Sequence, residues 1–160
     1  MKQTAHGKWL RVAGLLCLAS TMCTLASAAV KNMAVVIAAG SKVADVPLAD
    51  LVKMCRGTQK AWPDGKIFTL VMRNPDAPEM HVAIQKLFGD SGDVKAAIAK
   101  VNETRLTIKI VASDEDLLRT VEATPGAVGI LDVYAINSSV KVLRVDGKLP
   151  FDIGYALKGN

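Results

Sequence analysis

The sequence predicts an α/β fold: a mixed, mostly parallel sheet flanked by helices. Three observations predict it. Segments of strand character alternate with segments of helical periodicity, with no internal repeat and no low-complexity linker, as in a sheet covered by helices. Residues 30–38 form a nearly continuous apolar run, the signature of a strand buried on both faces. The run Thr124-Pro125-Gly126-Ala127-Val128-Gly129 stops a helix, turns the chain and enters a glycine-containing strand, which is one joint of an α/β domain.

Residues 1–28 read as an address. Lys2, Lys8 and Arg11 give a positive start, residues 12–25 are apolar, and Ala26-Ser27-Ala28 supplies a cleavage signal. The apolar run falls short of the about 20 residues that span a bilayer. Neither Cys17 nor Cys23 follows the small residues of a lipid-attachment site. Cleavage after Ala28 is therefore expected, leaving a single domain over 29–160 with no membrane span. The leader carries three of the 20 basic residues and none of the 15 acidic ones, so the remainder is near neutral, at +2. No Lys/Arg cluster is left to suggest nucleic acid.

The elements follow in order. Gly40-Ser41 ends the first strand. A helix over 47–56 starts with Pro47 in its first turn and Asp50 near the positive end of its dipole, and Gly57 follows as a cap. Leu48, Leu51, Val52 and Cys55 share one apolar face, so Cys55 reads as a buried, inert thiol, with a redox-active thiol as the competing reading. Trp62-Pro63-Asp64-Gly65 is a turn and 67–72 a β-rich strand. Asp76 and Pro78 open a helix with Met80, Ala83, Ile84, Leu87 and Phe88 on one face, closed by Gly89. A weaker helix over 93–101 and a strand over 107–111 come next. Ser113 reads as an N-cap with Asp116 three positions on, close to a capping box, and Leu117, Leu118 and Val121 face the core. A strand over 127–131 and a last strand over 140–145, turned by Asp146-Gly147, complete the order.

Two groups of motifs now stand in sequence. The first is Leu48-Ala49-Asp50-Leu51, Arg56-Gly57, Trp62-Pro63-Asp64-Gly65, and a strand ending at Arg73. The second is Val121, Thr124-Pro125-Gly126-Ala127-Val128-Gly129, and residues 140–147 with their Asp-Gly end. In this order they resemble the phosphate-binding-protein-like family, the type 2 periplasmic solute-binding proteins of phosphate ABC transporters, in a short single-domain form. The likeness runs from about Met33 to Gly147, and Gly154-Tyr155-Ala156-Leu157 resembles the family's C-terminal tail. It implies a periplasmic or secreted protein that binds phosphate or another small oxyanion without catalysis, with an ABC permease or another envelope protein as partner. The other reading is an envelope accessory protein on a shortened fold that has lost its ligand site. Arg73 stands where the family's Arg would, but Asn74-Pro75-Asp76-Ala77-Pro78 replaces its Ser-Gly-Thr segment, and Ala39-Gly40-Ser41 is all that matches its first glycine-serine loop.

The candidate ligand residues are Arg73, Ser41, Gly40 and Asn74. Arg73 follows a strand, and open α/β sheets bind ligands beyond the carboxyl ends of strands. A guanidinium there is suited to an oxyanion; its bland alternatives are a solvated Arg or a salt bridge to Asp76. Gly40 and Ser41 also follow a strand, where a bare backbone and a hydroxyl suit an anion, with an ordinary turn as the alternative. The acidic residues Asp114, Glu115 and Asp116 beside Ser113 read as dipole partners. His81 and Cys55 are the sole His and Cys after the leader, too few for a Cys/His metal site. No nucleophile-elbow or comparable motif appears, so no catalytic residue, metal or cofactor is expected.

Overall fold

The computed structural model describes residues 31–90, 93–104 and 107–158; the leader predicted over 1–28 lies outside them. The elements are β1 (Met33–Ala38), β2 (Asp45–Val46), α1 (Leu48–Cys55), β3 (Thr69–Met72), α2 (His81–Phe88), α3 (Val94–Thr104), β4 (Ile108–Ile110), α4 (Asp114–Ala123), β5 (Ala127–Asp132), β6 (Val140–Val142) and β7 (Arg144–Val145). The main sheet has the order β4-β3-β5-β1-β6. β3 pairs in parallel with β4 and β5, while β1 is antiparallel to both β5 and β6. Four strands therefore run one way and β1 alone runs the other, which is the mixed, mostly parallel sheet that the sequence predicts.

Alternation along the strands builds two cores. Met33, Val35 and Ile37 of β1, Leu70 and Met72 of β3, and Val128 and Ile130 of β5 join the apolar faces of α1, α2 and α3. Ala34, Val36, Val71 and Leu131 face the other way, against Leu117, Leu118 and Val121 of α4. Strands buried on both faces explain the unbroken apolar runs. Cys55 is fully buried in the first core, as its helical spacing predicts, and desolvation pushes its thiol far above the ordinary range.

The sequence motifs interlock. The Trp62 indole N–H donates to the Gly126 carbonyl oxygen at 2.8 Å, and the Trp62 ring tilts 55° against Phe68 with centroids 5.8 Å apart. Gly126 has φ 83°, and a Cβ there would lie 2.4 Å from the Ile67 carbonyl oxygen. A Cβ on Gly129 would lie 2.5 Å from the Leu117 Cδ2, so this glycine lets α4 settle onto β5. Asp146 accepts the Leu48 N–H at 2.9 Å and so caps α1 from 98 residues away, where Pro47 has no side-chain oxygen to offer.

Several expectations are corrected. The predicted strand over 140–145 is two strands in two sheets. Leu143 stays with β1, its N–H donating to Val35 O at 2.8 Å; Arg144 then crosses to Ala44 O at 3.0 Å, and β7 pairs in parallel with β2. The strand over 67–72 begins only at Thr69, because Ile67 is taken up in a bridge with Ala61. The helix opened by Pro78 starts as a 3-10 turn, Pro78–Met80, before α2. Ser113 caps α4 as predicted, accepting the Asp116 N–H at 3.1 Å. The box closes differently, however: the Ser113 hydroxyl donates to the Asp116 carboxylate at 2.9 Å.

Candidate functional site

Strand direction decides which predicted site residues can meet. Arg73 and Asn74 leave the carboxyl end of β3, whose Met72 lies beside Ile130 near the carboxyl end of β5. Gly40 and Ser41 leave the carboxyl end of β1, but β1 is reversed, with Ile37 beside Val128 and Met33 beside Asp132. From Val128 to Asp132 is about 13 Å at the rise of a strand. The four residues thus divide into two pairs at opposite ends of the sheet.

At the Gly40–Ser41 end the groups are engaged in a turn. The Ser41 N–H donates to Ala38 O at 2.9 Å, its Oγ accepts the Val43 N–H at 3.2 Å, and its carbonyl accepts the Lys141 ammonium at 2.6 Å. α1 begins only at Leu48, whose N–H already binds Asp146. Among the described residues no helix N-terminus adjoins this loop to complete an anion site.

At the Arg73 end the residues converge on a cleft of about 70 Å³. Its floor includes Met33, Met80 and Ile130, and its rim carries Lys31, Arg73, Asn74, Glu79, Asp114 and Asp132. Arg73 Nη1 lies 3.4 Å from the Asp114 carboxylate at the start of α4, with the two side chains 47% and 37% exposed. The expected alternative, a pair with Asp76, is replaced: Asp76 binds Lys95 at 2.6 Å. Lys31 pairs with Glu79 at 3.1 Å. The Glu79 carboxyl is held below its ordinary range, first by its own backbone N–H, then by Lys31, with Arg73 adding to the effect. Asn74 Oδ1 accepts the Asp76 N–H at 3.1 Å, which leaves its NH₂ group as a donor. Asp132 Oδ1 accepts the Tyr134 N–H at 3.0 Å.

Four of these residues were not singled out from the sequence as ligand candidates. Asp114 reads there only as a partner of the helix dipole. Lys31, Glu79 and Asp132 are single charges whose meeting depends on the reversed β1. Asp132 did leave a signal, since it directly follows a predicted strand, as Arg73 does. Among the described residues no group of three or more His, Cys, Asp or Glu is arranged to hold a metal, and no helix is long and apolar enough to cross a membrane.

No family model matches the chain, and no curated protein matches it in sequence. Its fold does match solved structures. An ABC-type phosphate transport receptor from Vibrio cholerae aligns with 81% of this chain and 54% of its own, at TM-score 0.56 and 15% identity. PstS from Borrelia burgdorferi aligns with 81% of this chain and 55% of its own, at TM-score 0.57 and 12% identity. A Clostridium perfringens protein solved with phosphate bound aligns with 73% and 46%, at TM-score 0.57 and 16% identity. The chain spans about half the length of these structures. At such identities the likeness is one of fold: this chain shares the fold of about half of each of these structures.

Proposed function

We propose that the protein is a solute-binding module that holds a small oxyanion, phosphate or a close relative, at the Arg73 end of the sheet without catalysing a reaction. The observation that carries this reading is the position of Arg73. It directly follows a central parallel strand, in a cleft with Lys31 and Asn74, on a fold shared with phosphate-transport receptors. Arg73 is held meanwhile by Asp114, and an ion pair so exposed is worth about 1 kcal/mol or less. A charge-assisted hydrogen bond contributes about 1.5–3 kcal/mol, and a guanidinium makes two in parallel to one oxyanion. An oxyanion therefore competes successfully for Arg73. Gly40 and Ser41 take no part in this reading, because they lie at the far end of β1.

The protein is exported by its leader, cleaved after Ala28, and hands its solute to a permease of the ABC type. N-terminal sequencing of the exported form tests the cleavage. Calorimetric titration with phosphate, sulfate, small phosphonates and small carboxylates tests the binding. Heat is expected for at least one of them and is lost in Arg73→Ala; a folded sample that gives no heat with any overturns the reading.

A further inference from the structure

The cleft around Arg73 holds more negative charge than positive. Its two cations are both committed, Arg73 to Asp114 and Lys31 to Glu79. Its third carboxylate, Asp132, takes part in no ion pair among the described residues; its one hydrogen bond comes from the Tyr134 N–H, on Oδ1. Asp132 is half-buried, so its charge is screened less than that of a fully solvated carboxylate. A purely anionic ligand entering here relieves Arg73 but meets Asp132, and also Asp114 once that residue is displaced. A ligand that brings its own cation removes both conflicts.

The geometry fits such a ligand. β3 and β5 are parallel neighbours, and Met72 is aligned with Ile130. Asp132 is thus one position beyond Leu131, the residue level with Arg73, so the two side chains leave the sheet toward opposite faces and share only the cleft beyond the strand ends, which both line. The volume of about 70 Å³ and the apolar floor of Met33, Met80 and Ile130 suit a very small solute with a short aliphatic link. We propose that the site takes a small zwitterion, an oxyanion and an ammonium separated by about two carbons, with the oxyanion on Arg73 and the ammonium on Asp132. The proposal rests on the oxyanion reading of Arg73 and narrows its ligand class.

The test uses two probes that differ by one amino group, 2-aminoethylphosphonate and ethylphosphonate, with inorganic phosphate alongside. Calorimetry on the protein is expected to show the aminated probe binding tenfold tighter or more. Asp132→Asn keeps the Oδ1 acceptor for Tyr134 and removes only the charge, so the variant stays folded; the two probes then come within about twofold of each other. Arg73→Ala weakens both. Equal affinities of the two probes for the unaltered protein overturn the zwitterion proposal and leave the oxyanion reading standing. So does binding of phosphate alone. A folded protein that binds none of the three overturns both. A tenfold preference that survives in Asp132→Asn overturns the assignment of the ammonium to that carboxylate.

Discussion

Trp62 donates its indole N–H to the carbonyl oxygen of Gly126 at 2.8 Å, joining residues 64 apart in sequence. The same oxygen accepts the Thr69 N–H at 3.4 Å, so one carbonyl ties the turn, the start of β3 and the corner before β5. Trp62→Phe keeps the ring against Phe68 and removes the donor. A loss of about 1–2 kcal/mol is expected, because the carbonyl keeps a second partner. Urea unfolding checks it, with a lower midpoint at unchanged slope.

Alanine at Gly126 and at Gly129 is expected to destabilise by different amounts. At Gly126 the new Cβ meets a backbone oxygen and the residue must hold φ 83°, so strain of about 1–3 kcal/mol adds to the clash. At Gly129 the nearest atom is the tip of the Leu117 side chain, which rotates or shifts with α4, at about 1–3 kcal/mol in all. Thermal melts should rank Gly126→Ala below Gly129→Ala, and both below the parent.

Arg73→Ala separates binding from stability. Its pair with Asp114 is exposed, so the melting midpoint in ligand-free buffer corresponds to a loss of less than about 1 kcal/mol. Phosphate is expected to raise the midpoint of the parent, and that rise disappears in the variant.

Cys55 is expected to resist thiol reagents while the protein is folded. The thiolate is the reactive form, and burial at 0% exposure both blocks access and holds the proton on. Labelling should be absent in native buffer and complete in denaturing urea; fast labelling of the native protein would revive the redox reading.

Tyr155 predicts an alkaline loss of stability. Burial pushes its phenol up to about 12 from an ordinary 10.0, so the unfolded chain gives up this proton first. The contribution is complete below pH 10 and is lost as pH rises toward 12, reaching about 3 kcal/mol at 1.36 kcal/mol per pH unit. The hydroxyl lies toward the Val35 backbone without a regular hydrogen bond. Tyr155→Phe should therefore remove this part of the alkaline loss and leave stability at pH 7 equal or higher. Urea unfolding at pH 7, 10 and 11.5 reads both effects.

The scaffold was legible wherever a local pattern carries its own physics. The buried run of β1, the cap at Ser113, the apolar face holding Cys55 and the Pro125-Gly126 corner all state their environment in a few residues. Direction is not such a property, because a buried strand reads the same whether its neighbours run with it or against it. That is why Gly40 and Ser41 were grouped with Arg73 although the reversed β1 takes them to the other end. The break at Leu143 left only a small trace: the apolar positions run 140 and 142, then shift phase to 143 and 145, where the buried face switches cores and the hydrogen-bond partners change from β1 to β2. In the site, Arg73 was legible as a charge after a strand, whereas Lys31, Glu79 and Asp132 become a group only in three dimensions.

The place of β1 bears on the life of the chain before it folds. This apolar strand is made early, yet its neighbours β5 and β6 come from the last third of the sequence. Until Ala127–Asp132 and Val140–Val142 have left the ribosome, Met33–Ala38 has neither ladder to join, and α1 also waits for Asp146. Contacts of such long sequence separation slow folding. A nascent chain thus cannot complete its main sheet until β5 and β6 have been made, and before that it is in the condition in which a polypeptide can still be threaded through a narrow channel or captured by a chaperone.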